Sequence, residues 1–414
     1  MLRMTYCWWA LSCLSAAVLQ GAQTRIVGLP GVPCPNAQYT SIAAAVAAAS
    51  AGDVIDICPG TYQEQLIITK PITLLGIEVN GVNRVLIQPT LKDLQGLATE
   101  AALTVTNTAG VTIRDLVIDA SHNTVTACKP GLAAVRFLNA SGTLMNSVVM
   151  GAQLANPLGC STSFPYGNGA AVYVDNNPGT GPFQVSIQGN SIHDFTAYGV
   201  KAEGAGVTAN ITSNTITGVG PAGGIFQFGV FVVNGAVAQI ETNIITEGLC
   251  GSLSTTDCIN QRSEGVTLRA AGDGTVVDGN TINSAQSGIF INGANNLRVS
   301  NNQITNIDGM SGIDIQATKS RDFTNSLIEH NTITNVGPID QEASNNREGC
   351  GIDEYSGAGT FLGNQIVANT VNDAYCGVAH VTANTVTDGS YFNTLYTELN
   401  SDNYTTTFPA AVEP

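Results

Sequence analysis

Basic residues are what this sequence most lacks. Fifteen Lys and Arg stand against 31 Asp and Glu in 414 residues, for a net charge of −16. So acidic a surface repels phosphate backbones and anionic lipid, which excludes nucleic acid and anionic membranes as partners. A plain polyanion is disfavoured too, unless a cation bridges it to the protein. Charged residues of both signs reach only 11%, well below the ~25% of ordinary soluble domains. Gly, Asn, Thr, Ser and Ala take their place, the composition of a turn-rich surface. After residue 22 no apolar run is long enough to span a bilayer, and no cysteine pair has zinc-ligand spacing.

Residues 1–22 read as a secretory signal, with Arg3 as the charged start and 6–19 as an apolar stretch. A secreted, periplasmic or cell-surface protein is expected. Eight cysteines follow, an even number that suits disulfides outside the cytosol. Cys350 and Cys376 occupy equivalent repeat positions, which adjacent coils set ~4.8 Å apart, so they are expected to bond. Cys250–Cys258, Cys128–Cys160 and Cys34–Cys58 complete the expected set.

Two short pieces recur down the chain. One is an Asn followed two residues later by an aliphatic, at Asn190, Asn214, Asn243, Asn280, Asn302, Asn331, Asn369 and Asn384. The other is Gly-Ile/Val-x-aliphatic, beginning at Gly199, Gly229, Gly265, Gly288, Gly312, Gly351 and Gly377. Units so short cannot bury an apolar face alone and must stack on one another. Each holds short strands of period-2 alternation, which predicts an all-β solenoid in one elongated domain, residues 23–414. Coils are expected over about 53–388, a helix at 39–51 closing the open first coil, and a tail at 390–414. The repeated Asn is expected to stack coil on coil and to adopt left-handed geometry in its turn.

The segment SIAAAVAAASAGDVIDICPGTYQEQLIITKPITLLG, residues 41–76, resembles the N-terminal cap and first coil of pectate-lyase-like right-handed parallel β-helix proteins. SGIFINGANNLRVSNNQITN, residues 287–306, resembles the general parallel β-helix repeat. The resemblance covers about 36–390 and implies a single right-handed parallel β-helix. It leaves activity open among lyases, hydrolases, esterases, epimerases and non-catalytic proteins. The polygalacturonase motifs Asn-Thr-Asp, Asp-Asp, Gly-His-Gly and Arg-Ile-Lys are absent, as are the pectin methylesterase Asp-Phe-Ile-Phe-Gly and the alginate epimerase Asp-Pro-His.

Alternation nevertheless places side chains. In Gly-Ile-x-Ile-x the aliphatics point inward and the x positions outward. Two outward columns result: Lys201, Phe231, Thr267, Phe290, Asp314, Asp353, Ala379 and Glu203, Val233, Arg269, Asn292, Gln316, Tyr355, Val381. In the proteins this chain resembles, that face is the substrate groove. Asp314 and Asp353 are expected ~5 Å apart, a spacing that suits a retaining glycosidase or a shared calcium ion. With Arg269 they form the candidate catalytic set. Lys201, Phe231, Phe290, Tyr355 and Arg347 are the candidate substrate contacts, the aromatics as stacking platforms. Glu264, Asp308, Glu348 and Glu354 are nearby acids, and a bulge is expected to turn Glu354 out of the core. Two readings stand. One is a monomeric carbohydrate-active protein of lyase or hydrolase type on an extracellular or cell-wall polysaccharide. The other is a non-catalytic rod for adhesion or glycan binding.

Overall fold

A computed structural model describes the chain from residue 21 to 395, apart from residues 33, 80–81, 93–98, 126–130, 156–168, 177–178, 180, 221–225, 249–262, 319–320, 339–348, 357–358, 375 and 383–390. Residues 1–20 of the expected signal, most of the tail, Asn384, Arg347, Glu348 and the cysteines Cys128, Cys160, Cys250 and Cys258 lie outside the described residues.

Almost every strand pairs in parallel with its counterpart about one repeat away, which is the signature of a parallel β-helix. One sheet of 11 strands runs from Leu66–Ile68 to Cys376–Thr382 in strict order along the solenoid. A second ladder runs from Thr24–Val27 through Val54–Ile57, Val111–Arg114 and Val207–Thr212 to Leu327–Glu329. A third is built from the short strands after each Asn, among them Thr215–Thr217, Thr281–Ala285 and Thr332–Pro338. Inward aliphatics from the three ladders merge into one continuous core from Val27 to Ala374.

The two repeated sequence pieces meet in space. A Cβ built on Gly199 would lie 2.5 Å from both the Gly229 carbonyl oxygen and Ile216 Cγ2. On Gly265 it would meet Ile282 Cγ2 at 2.5 Å and the Gly288 oxygen at 2.7 Å. The glycine is therefore needed for space: the isoleucine of the Asn-x-Ile piece packs where a side chain would go. Gly265 and the buried Val266 both face inward, so strict alternation breaks at each Gly-Ile/Val. Residues before the glycine consequently point outward, alongside those three positions later.

The repeated Asn side chains form a buried ladder. Asn214 Oδ1 accepts from Asn190 N at 2.9 Å and from Asn190 Nδ2 at 3.0 Å. The same double contact links Asn214 to Asn243, Asn243 to Asn280, Asn280 to Asn302, Asn302 to Asn331 and Asn331 to Asn369. The left-handed residue of the turn is not the Asn, however. It is the residue before it: Ser213, Thr242, Asn301 and His330 all have φ of 56°. The chain reverses there, and the following Asn is left free to aim its amide down the axis.

Three further expectations meet the structure here. The helix is confined to Ile42–Ala48, capped by Ser41 Oγ, which accepts from Ala44 N at 3.2 Å. Glu64 reaches in from the first coil and accepts from Ile42 N at 3.0 Å and Ala43 N at 2.8 Å, satisfying helix donors that would otherwise be orphaned. Cys34 and Cys58 form a disulfide; Cys350 is also disulfide-bonded and Cys376 is its register partner. The bulge expected at Glu354 is not present. Asp314↔Asp353, Ile315↔Glu354 and Gln316↔Tyr355 pair without a shift, so Glu354 takes an inward position and is buried.

The Asn ladder carries a stability prediction. Asn280→Ala strands Asn243 N–H and the Ile240 carbonyl, which the Asn280 side chain now satisfies at 2.9 and 2.8 Å. Unsatisfied buried groups cost ~1–3 kcal/mol each, so a loss of about 3 kcal/mol is expected, read as a lowered urea midpoint with unchanged slope.

Candidate functional site

The outward columns of the 11-stranded sheet fall in register as alternation requires. Lys201↔Phe231, Phe231↔Thr267, Thr267↔Phe290, Phe290↔Asp314 and Asp314↔Asp353 are successive partners. Beside them run Glu203↔Val233, Val233↔Arg269, Arg269↔Asn292, Asn292↔Gln316 and Gln316↔Tyr355. The face continues upstream through Tyr173 and Arg136, and through Asp175. Those coils use Ala-Leu or Ala-Val where later coils use Gly-Ile/Val, at 102–103, 134–135 and 171–172. That pair is the sequence signal by which the upstream residues could have been found.

At the centre lies a cavity of about 190 Å³, lined chiefly by Phe226, Phe228, Phe231, Phe290, Glu264 and Arg269, with Thr267, Asn292 and Gln316 on its polar side. Phe228 and Phe231 are stacked at an angle, centroids 4.9 Å apart, and Tyr198 lies 5.4 Å from Phe228. Thr267 Oγ1 donates to Glu264 Oε2. That contact between residues three apart on one strand follows from the break in alternation at Gly265–Val266. Phe228 escapes a strict period-2 reading for the same reason, and Phe226 precedes the strand Gln227–Val233.

Arg269, Phe231 and Phe290 thus come together. Asp314 and Asp353 sit farther along, outside the cavity lining and almost wholly buried, with 0% and 1% of their surface exposed. Gln316 links Asp314 to the cavity, its Nε2 donating to Asp314 Oδ2 at 3.2 Å. Arg321 Nη1 steadies the rim by donating to Asn292 Oδ1 at 2.5 Å. Lys201 lies at the other end of the cavity's aromatic wall. Its ammonium stands 4.8 Å over the Tyr173 ring and 2.7 Å from Glu203 Oε2. Arg136 grips Asp175 with two hydrogen bonds of 3.0 and 2.7 Å.

These upstream charges perturb one another. Burial pushes the Tyr173 hydroxyl far up, with Asp175 and Glu203 adding to it, so the phenol stays protonated and donates to Glu203 at 2.8 Å. Burial also lifts Asp175, against the opposing pull of Arg136. Burial would raise Glu203 as well, yet the charge and hydrogen bond of Lys201, with those of Tyr173 and Asn234, hold it below its usual value. Among the described residues no group of three His, Cys, Asp or Glu side chains converges as metal ligands would.

Glu247 lies beneath the site and was not singled out by sequence. It is fully buried, and neither carboxyl oxygen has a hydrogen-bond donor. Gln227, between the two cavity residues Phe226 and Phe228, turns its Oε1 to the same side of Gly218 as Glu247 Oε2. Burial, with no donor to offset it, drives the Glu247 carboxyl well above its ordinary 4.5.

The family described as "Right handed beta helix region" matches residues 170–386, just over half of the 414 residues. No curated protein matches the chain in sequence. Among solved structures, the Dettilon tailspike protein superposes with a TM-score of 0.47 at 15% identity, over 83% of this chain and 61% of that one. This chain therefore spans 61% of the tailspike chain's length. A mannuronan C-5 epimerase A-module of Azotobacter vinelandii gives 0.46 at 13% identity, over 86% and 94% of the two chains. The pectin methylesterase of Aspergillus niger gives 0.34 at 12%, over 91% of each.

Glu247 generates a pH prediction. The folded state keeps a proton that the unfolded chain releases near pH 4.5. Between that pH and the raised folded value the native state binds more protons, so stability falls as pH rises. Glu247→Gln removes this dependence. The variant is expected to melt with the wild type at pH 4 and several degrees above it at pH 8, measured by calorimetry at both.

Proposed function

Because the chain belongs to the right-handed β-helix family, whose scaffold leaves chemistry open, we propose from its cavity that it binds and cleaves a polysaccharide. One observation carries this reading: four phenylalanines, a carboxylate and a guanidinium converge on a space of about 190 Å³. That is below the ~300–1,000 Å³ of clefts for drug-sized ligands, so it suits one ring of a longer chain. Phe226 and Phe290, the half-buried aromatics of the lining, offer apolar faces for the ring, whereas Phe231 is only 1% exposed. Thr267, Asn292 and Gln316 offer hydrogen bonds for its hydroxyls. Glu264 is the general acid that gives its proton to the departing glycosidic oxygen, and Arg269 offsets the negative charge that develops there. Asp314, buried next to the cavity, orients Gln316.

The Cys34–Cys58 disulfide supports an oxidising compartment and hence an exported protein. The burial of Asp314 and Asp353 favours a second reading, in which the same cavity holds glycan without cutting it.

A panel of polysaccharides tests both, following reducing ends and the absorbance of unsaturated uronides, with calcium and with chelator. Cleavage is expected, and Glu264→Gln is expected to lower turnover at least ~100-fold while oligosaccharide binding persists. Phe290→Ala is expected to weaken binding about tenfold. Product that disappears with chelator would bring calcium to the Asp314–Asp353 pair. Binding without product would establish the second reading, and absence of binding across the panel would overturn both.

A further inference from the structure

The strands that follow the buried Asn ladder carry a second ordered face, on another side of each coil. Ile216, Ile245, Ile282, Ile304, Ile333 and Val371 are buried, so the residues flanking each of them stand together outside. One outward column is Thr215, Ile244, Thr281, Gln303, Thr332 and Thr370. The other is Thr217, Thr246, Asn283, Thr305, Thr334 and Asn372. Eight of these twelve positions are Thr and none is charged, in a chain of net charge −16. The register across all six coils shows no shift in the paired positions. Outside the second column, Asn335 Nδ2 donates to Asn306 Oδ1 and Asn306 Nδ2 to Asn283 Oδ1, each at 2.7 Å, which ties successive coils together along the edge.

The face is a two-dimensional lattice. Neighbouring coils are ~4.8 Å apart and the two columns ~6.6 Å apart, two residues along a parallel strand. Tetrahedral water at an O–H···O distance of about 2.75 Å places second-neighbour oxygens about 4.5 Å apart and repeats every ~7.3 Å along the perpendicular axis. Both spacings agree to within about 0.7 Å, which threonine rotamers can take up. A threonine hydroxyl can both donate and accept, as a lattice water does; Thr305 gives its proton to Asn283 Oδ1 at 3.1 Å and keeps its acceptor lone pairs for water. Ile244, 52% exposed in mid-face, adds an apolar patch that no hydrated charge disturbs.

Other occupants fit less well. The strip measures roughly 30 by 10 Å from these spacings, about 300 Å², short of the ~800 Å² per partner of a stable protein interface. It carries no aromatic platform for sugar rings and no cation for a polyanion. We infer that this face binds ordered water, as presented at the surface of ice.

Ice recrystallisation and thermal hysteresis, measured on the purified full chain, test this independently of any action on polysaccharides. At micromolar concentration the wild type is expected to arrest crystal growth. Thr281→Lys combined with Thr334→Lys is expected to cut that activity at least tenfold. Thr208→Lys, on the neighbouring ladder, is expected to leave it intact, with all three proteins melting alike. If the double variant fails to fold, Thr281→Lys alone reads the same loss. No arrest by the wild type, arrest that survives Thr281→Lys, or binding to a crystalline polysaccharide in place of ice would each overturn the inference.

Discussion

Each turn of this molecule carries an amide that can be satisfied only by the amide of the next turn. Asn Oδ1 receives two donors from one neighbour, and Asn Nδ2 gives one hydrogen bond to the other neighbour and one to a carbonyl of the interior wall. These amides are almost wholly shielded from solvent, and an unpaired buried polar group costs ~1–3 kcal/mol. A coil slipped by one residue would break this chain of contacts and also turn its aliphatics to solvent. The ladder therefore sets register, and register sets every outward column.

The second constraint acts through volume. Isoleucines of the Asn-x-Ile pieces occupy the space beside the glycines, so the strand must present two inward residues in succession. That irregularity brings Phe228 and Glu264 onto the same face as Phe231 and Thr267. The cavity is a by-product of how the core packs, furnished with aromatic and ionic side chains where plain coils would carry Ser or Thr.

Much of this was legible in the sequence, because a solenoid repeats its instructions. The outward columns from Lys201 to Asp353 could be written down from alternation alone, and the structure pairs each of them as written. The Asn stacking was legible for the same reason. What was hidden is what alternation does not encode. The left-handed turn residue precedes the Asn, since the amide must point inward. Glu354 stays in line because the strand pairs Ile315↔Glu354 without a shift. Phe226 and Glu247 lie just outside strands, where no period applies, and they reach the site only through the folding of the chain around Gln227 and Gly218.

The two ordered faces also differ in a way that bears on what they meet. Both are built on the same coil spacing, and neither is dictated by the core, since its demands fall on the inward positions. Down the groove column the residues change at nearly every step: Arg136, Tyr173, Lys201, Phe231, Thr267, Phe290, Asp314. Down the other face eight of twelve positions are Thr and none is charged. A column whose chemistry varies along its length can discriminate the parts of a ligand that varies too, with a stacking platform here and a charge there. A face dominated by one uncharged side chain at fixed spacing gains little from such a ligand. It gains from one that is itself periodic, because each added coil then contributes the same contact again. The contrast in content, on one common scaffold, separates a site for a single bound chain from a surface for a lattice.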